Sequence, residues 1–320
     1  DEPSLSSVTN NYFQRKTILT LPSGELCYSA ATNTLLIGDT TDPVLTCASN
    51  QTVSPTNANC EYVVSSTALD VAASDACPVT STYALTGVTT GTGSSLNGVS
   101  FNPGVTTVTW TSVDAHGNSA SCSFTVSVIK ASVSNQTASV CSENTISVIL
   151  GSSATSTAVT DYNYVSETST GLSFSAGTAL SVGSNPYTST AIQSHEWTNS
   201  GNSTANVVYT FTPVDAVGCE GDDFTVTVAI KPIPASNAGS NDAICDGQTY
   251  ILSGAISGGA TAGTWTTSGS GTFSSATALN AVYTPSAADI TGGTVTLTLT
   301  TNDPFSCGAA SDDMVLTINS

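Results

Sequence analysis

The sequence predicts an all-β protein: tandem immunoglobulin-like β-sandwich modules in an extended array. Two observations point there first. One strand is written three times, as CSFTVSVIK from Cys122 to Lys130, DFTVTVAIK from Asp223 to Lys231 and DMVLTI from Asp313 to Ile318. In the first copy Phe124, Val126 and Val128 alternate with Ser123, Thr125 and Ser127. That period of two marks a strand with one buried and one wet face. Each copy accompanies a cysteine (Cys122, Cys219, Cys307) and precedes a composition break or the chain end, so each reads as the closing strand of a module. The second observation is spacing: the copies cut the chain into modules of about 90 to 100 residues, the size of such a sandwich.

Composition excludes whole classes of function. The net charge is −19, from 23 acidic residues against Arg15, Lys16, Lys130 and Lys231. Four scattered cations cannot neutralise a phosphate backbone or hold an anionic membrane surface, so nucleic acid is not a partner. Charged residues are only 8% of the chain, and Ser, Thr, Asn and Gly carry its solubility. No 18-residue apolar run exists, so no membrane insertion is expected. The chain begins at Asp1 with no signal-peptide pattern; the expectation is that a signal was removed or that this is a piece of something longer.

The nine cysteines include no CxxC pair, which argues against a zinc ribbon. Wide spacing in small β-modules favours disulfides and an oxidising, extracellular compartment. Cys27 is the odd one out, since it lies outside the repeats.

Residues 1–41 match none of the repeats and read as an N-terminal extension or the tail of a preceding module. Strands are expected at Thr17–Leu21 and Thr34–Ile37, with Leu21-Pro22-Ser23-Gly24 as a turn. Module one, 42–131, has expected strands at Val44–Cys47, Cys60–Ser66, Ser81–Leu85, Val105–Val113 and Cys122–Ile129. Asp114 to Asn118 forms the hairpin turn into the closing strand: Asp114 accepts backbone N–H bonds and Gly117 supplies positive φ. Module two, 132–231, has expected strands at Thr145–Leu150, Ser194–Thr198, Asn206–Pro213 and Asp223–Ile230; the Ser, Thr and Gly-rich stretch from Ser152 to Ser189 is not placed. Module three, 232–320, has them at Thr249–Ala255, Gly263–Thr267, Leu279–Thr284, Gly293–Thr301 and Asp313–Ile318, with Trp265 and Tyr283 in the core. The linkers (Thr40–Pro43, Lys130–Val133, Lys231–Pro234) are too short to fold one sandwich back along the next, hence the extended array.

Several runs resemble known families. LTCASNQTV, the Cys60 and Cys77 pair, FNPGVTTVTW and VDAHGNSASCSFTVSV resemble the HYR (hyalin repeat) module. NVVYTFTPVDAVGCEGDDFTVTVAIKPIP resembles PKD-like modules of secreted Bacteroidota proteins, and ICDGQTYILSG with AVYTPSAADITGGTVTLTLTT is similar to repeats of very large Bacteroidota surface adhesins. The resemblance implies immunoglobulin-like folds, type IX secretion and a role in adhesion or as a spacer. HYR modules with two cysteines keep those matching Cys47 and Cys122, so the resemblance implies that pair and leaves Cys60 with Cys77. An even cysteine count per module adds Cys141–Cys219 and Cys245–Cys307. Asp39-Thr40-Thr41 fits the Bacteroidota O-glycosylation sequon, which makes Thr40 the candidate acceptor.

Chemistry is sparsely encoded. His116 sits in the hairpin turn among small residues, and His195 is expected on the solvent side of a strand; neither has the setting of a triad base. No phosphate or metal motif appears, so no enzyme activity and no cofactor are expected. Asp222-Asp223 and Asp312-Asp313 are expected to act as edge charges that discourage strand pairing, with calcium at module junctions as the sharper alternative. Asn50, Asn135 and Asn202 head N-glycosylation triplets, which chance alone supplies in so Asn, Ser and Thr-rich a chain. The reading is an extracellular cell-surface adhesin fragment whose partners are surface glycans or a substratum and further modules of the same long chain. The alternatives are non-catalytic accessory modules of a secreted polysaccharide-degrading enzyme or protease, or a carbohydrate-binding module.

Overall fold

A computed structural model describes residues 39–151 and 157–319, together with the backbone of four short strands ahead of them. Those four are β1 (Tyr12–Gln14), β2 (Ile18–Thr20), β3 (Leu26–Tyr28) and β4 (Thr34–Leu36); β1 pairs with β4 and β2 with β3, both antiparallel. The expected turn at Leu21–Gly24 and the side chain of Cys27 lie outside the described residues. The chain divides into two compact units, Asp1–Ile129 and Lys130–Ser320.

The first unit contains β5 (Val44–Thr46), β6 (Gln51–Val53), β7 (Tyr62–Val63), β8 (Ala72–Ser74), β9 (Val79–Gly87), β10 (Gly91–Gly93), β11 (Ser100–Phe101), β12 (Gly104–Asp114) and β13 (Ser119–Val128). Its main sheet runs β10-β9-β12-β13-β6, faced by the small pairs β5-β8 and β7-β11. Along β12, Thr106, Val108, Trp110, Ser112 and Asp114 are buried, the period of two that the sequence carries. Trp110 meets Tyr83 edge to face at 5.3 Å inside a core of Leu85, Leu96, Phe101 and Phe124. The strand expected over Cys60–Ser66 shrinks to β7, because tight turns close at Asn57–Cys60 and at Thr67–Asp70.

The second unit holds two sheets of one plan. β14 (Gln136–Cys141), β15 (Val159–Ser169), β16 (Ser173–Ala176), β17 (Glu196–Thr198), β18 (Ala205–Asp215) and β19 (Phe224–Lys231) give a sheet ordered β14-β19-β18-β15 and the pair β16-β17. The expected strand at Thr145–Leu150 is irregular: Ile146 N–H donates to His195 O, and Leu150 N–H to Ser189 O. The unplaced stretch contains β15 and β16; Tyr162 and Tyr164 there are buried and alternate with Asp161 and Asn163.

Next come β20 (Ala235–Asn237), β21 (Asp242–Cys245), β22 (Tyr250–Ile251), β23 (Ala255–Ser257), β24 (Gly263–Thr267), β25 (Thr272–Phe273), β26 (Val282–Thr284), the helix α1 (Ala287–Gly292), β27 (Thr294–Thr301) and β28 (Ser311–Asn319). Their main sheet is β21-β28-β27-β24, faced by β22-β26-β25 and β20-β23. Trp265 and Tyr283 are both buried in its core. Helix α1 was not expected. Ser286 caps it, accepting from Asp289 N while the Asp289 carboxylate accepts from Ser286 N, the reciprocal capping box.

In all three sheets the closing strand lies inside, antiparallel to the strand before it and parallel to a strand near the module's start. β13 pairs with β6, β19 with β14 and β28 with β21. An asparagine adds one rung to each parallel ladder. Asn50 Oδ1 accepts from Thr125 N at 2.9 Å, Asn135 Oδ1 from Thr225 N at 2.8 Å and Asn241 Oδ1 from Val315 N at 2.7 Å.

This topology corrects the edge-charge reading, because β19 and β28 are interior strands. Asp222 pairs with Lys130 at 3.0 Å, Asp223 accepts from the Thr212 hydroxyl and Asp312 accepts from Ala238 N. The cysteine scheme is corrected too. Cys47 is joined to Cys122, but Cys141 is joined to Cys307, and Cys60 and Cys219 are bonded without Cys77 or Cys141. Cys77 and Cys245 are free thiols. The even count per module misled because β14 delivers Cys141 to the end of its sheet, level with Lys231, where the β27–β28 loop brings up Cys307.

Candidate functional site

The groups that gather lie at one end of the first unit. The β12–β13 hairpin turns on Asp114, which is 7% exposed. Its Oδ1 accepts from His116 N at 2.8 Å and Asn118 N at 2.9 Å, and its Oδ2 accepts from Asn118 Nδ2 at 2.8 Å. This is the turn the sequence calls for, and β18–β19 repeats it: Asp215 Oδ1 accepts from Val217 N and Cys219 N. Asn118 Nδ2 also donates to Asp39 O at 2.9 Å, which ties the segment before β5 to the turn.

Two more segments close on this point. Asp39 Oδ1 accepts from Thr41 N at 2.9 Å, and the β8–β9 loop contributes Asp75 and Cys77. Ligand atoms of Asp39, Asp75 and Asp114 all lie within 4.8 Å of one another, and so do those of Asp39, Cys77 and His116. Asp75 Oδ1 accepts from Ala76 N, while Asp75 Oδ2 is closed off from solvent without a hydrogen-bond partner.

The electrostatics follow from these contacts. The Thr41 N–H, then the Cys77 thiol, hold the Asp39 carboxyl below the usual carboxylate range, and sharing its proton with Asp39 pushes the Cys77 thiol up. Burial pushes the Asp114 carboxyl up, but the Asn118 side chain and the turn's N–H groups outweigh it and leave it low. Sequence reasoning placed Asp114 and His116 in the turn and missed that Asp39 and Asp75 meet them, since no spacing rule links these three segments.

His195 was expected to face solvent, and it is fully buried. Its Nε2 lies 2.9 Å from Thr178 O, a pure acceptor, so Nε2 carries the proton and donates. Nδ1 is then the acceptor for the Tyr209 hydroxyl at 2.9 Å, and that hydroxyl accepts from Trp197 Nε1 at 2.8 Å. Both ring nitrogens are engaged inside the core, so His195 sits in a structural chain of hydrogen bonds. In the second unit a cleft of about 660 Å³ opens beside Glu143, Glu196, Lys231 and Ser306. It is wide and polar, with no nucleophile–base pair among those groups.

Residues 38–128 match the family model of the HYR domain, and residues 138–234 match that of a PKD-like domain. The chain carries an HYR domain followed by a PKD-like domain. Both are adhesion-type repeat domains of extracellular proteins, and no enzyme family appears among the matches. No curated protein matches the chain. Among solved structures it is similar to Drosophila N-cadherin EC1-4 at 12% identity, over 90% of this chain and 78% of that one, with a TM-score of 0.33. Human CDH23 EC21-23 aligns at 12% identity over 83% and 97%, also at 0.33, and protocadherin gamma B2 cadherin domains 3-6 at 9% over 98% and 84%, at 0.32. Among the described residues no helix is long and apolar enough to cross a membrane.

Proposed function

We propose that the chain is a load-bearing stretch of a cell-surface adhesin, of the type of the flavobacterial gliding-motility adhesin SprB. It would carry contact with a substratum or a surface glycan and be continued by further modules of the same chain. Residues 42–131, 132–231 and 232–320 are its modules in this reading, 1–41 an extension, and Thr40, which is exposed, its O-glycosylation acceptor. The observation that carries the reading is the ladder repeated in each module. A strand near the module's start (β6, β14 or β21) and the closing strand run parallel and side by side, as in the six registered pairs from Gln136↔Val226 to Cys141↔Lys231. A pull on a module's two chain ends therefore loads that ladder along its length, and its hydrogen bonds must give way together. The asparagine rung adds one more bond at the loaded end.

Single-molecule stretching of the reduced chain tests this. Pulling through the chain ends is expected to unfold the PKD-like module at a clearly higher force than pulling through handles at Ser134 and Val217, which unzips the same ladder from one end. Asn135→Ala should lower the first force and leave the second unchanged. Equal forces in both geometries would remove the mechanical argument. Turnover of a polysaccharide or peptide by the chain would favour the accessory-module reading instead.

A further inference from the structure

We propose that Cys245 is the forward half of a disulfide whose other half is the hairpin-loop cysteine of the module that follows it in the chain. The inference rests on the reading that further modules of the same kind continue the chain. Cys245 is exposed and free, and its counterpart one module earlier is bonded. Cys141 ends β14 level with Lys231, the last residue of β19. Cys245 ends β21 level with Asn319, the last residue of β28. The turns that follow match bond for bond. Ser142 N donates to Lys231 O and Asp246 N to Asn319 O, both at 2.8 Å. Asn144 N donates to Cys141 O and Gln248 N to Cys245 O, both at 3.1 Å. Glu143 and Gly247 take the positive φ of this turn, 63° and 80°. In that setting Cys141 is joined to Cys307, across the linker to the next module.

The receiving half is also built twice. Cys307 lies four residues after Asp303, whose Oδ1 accepts from Cys307 N at 2.8 Å. Cys219 lies four residues after Asp215, whose Oδ1 accepts from Cys219 N at 2.9 Å. Each of the last two modules thus carries one cysteine where its closing strand ends and one in the loop that enters that strand. Both loop cysteines are bonded. Cys245 cannot use the loop cysteine of its own module, because Cys307 precedes the start of β28 and Cys245 lies level with its end. The nine residues of β28 hold those ends about 27 Å apart, against the Cα separation of about 4–7 Å that a disulfide needs. Of these four cysteines only Cys245 is unbonded, and on that reading it alone faces a module beyond Ser320.

The bond forms by exchange with a small-molecule disulfide such as oxidised glutathione. The Cys245 thiolate attacks that disulfide and expels one glutathione; the loop thiolate then attacks the Cys245 sulfur and expels the other. Two protein thiols are oxidised to one disulfide, the oxidant is reduced to two thiols, and the two protons pass to them.

The full chain extended after Ser320 by a second copy of residues 233–320 tests this, equilibrated in a glutathione redox buffer and mapped without reduction. The copy carries Cys245→Ser, so that only the original Cys245 can report. The expected map joins Cys245 to the appended copy of Cys307. A second extension, by residues 132–231 with Cys141→Ser in the copy, offers the appended copy of Cys219 instead, so one receiving module that fails to fold does not remove the test. Replacing the original Cys245 by serine as well should leave the appended loop cysteine open to alkylation. Cys245 alkylated in both extended chains, or bonded to any other cysteine, would overturn the proposal. Stretching of the reduced chain contains no such bond, so failure here is distinguishable from failure of the load-bearing reading.

Discussion

Tyr209→Phe is the sharpest single test of how the PKD-like module holds its interior. The substitution removes one oxygen and leaves the ring, which is fully buried among Trp197, Phe211 and Val226. It does not open a large cavity, so the cost is almost wholly polar. The lost hydroxyl donates to His195 Nδ1 and accepts from Trp197 Nε1. Both groups are then stranded inside the core, at about 1–3 kcal/mol each, or about 2–6 kcal/mol together. Set against a domain stability of about 5–15 kcal/mol, that loss brings the module close to unfolding. Hydrogen exchange of the 205–215 amides in the full chain reads it directly, because β18 is a central strand whose slowest amides open only with the module. A loss under about 1 kcal/mol would refute the hydrogen-bond chain, since one stranded group alone should exceed it.

The same chain fixes a pH response. Burial holds the His195 imidazole below its usual value, although its bond to Thr178 O acts against that. The folded module therefore prefers neutral His195, while the unfolded chain takes up a proton near pH 6.5. Stability should be full above about pH 6.5 and fall as the pH is lowered from there. Glu167, whose carboxyl burial pushes up, works in the opposite sense at lower pH, so the difference between the wild type and His195→Gln isolates the histidine. A wild type whose β18 exchange stability is unchanged down to about pH 5.5, one unit below that value, would contradict the assignment.

Two further outcomes follow from the last module and from the thiols. Asp289 is 4% exposed and accepts from Ser286 N, Ser270 N and the Tyr283 hydroxyl; burial opposes its ionisation, yet those bonds bring its pKa down to about 2. Asp289→Asn should cost about 2 kcal/mol by that shift, and acid should remove the same amount between about pH 4 and pH 2, as thermal melts would show. Non-reducing peptide mapping should join the Cys141 peptide to the Cys307 peptide and find Cys245 open to alkylation; a Cys245–Cys307 peptide would show that the bond stays within one module.

Several of the longer strands were legible because alternation is local: β12, β18, β24 and β27 lie within two residues of their expected bounds. What failed was pairing. Strands of two or three residues such as β7, β10 and β11 exist because a neighbour holds them, and nothing in their own residues sets them apart. The cysteines failed for the same reason, since counting them by module assumes that a module's ends meet only each other. His195 looked exposed beside Glu196. Yet His195 comes just before the short β17, and its partner Tyr209 comes from β18, in another sheet.

The triplets Asn50-Gln51-Thr52 and Asn135-Gln136-Thr137, each preceded by a serine, show how one motif can be given the wrong kind of meaning. As sequons they mark a glycan acceptor, and by frequency they mark nothing. In the fold each asparagine lends Oδ1 to the closing strand one residue before the parallel ladder begins, at Thr125 and at Thr225. Asn241 does the same for Val315, where the sequence reads Ser240-Asn241-Asp242-Ala243 and no sequon exists. The position therefore selects asparagine for its short amide arm, which copies a backbone carbonyl where a parallel strand has yet to arrive. Three appearances at one topological place, two with the sequon and one without it, separate the structural cause from the coincidental pattern.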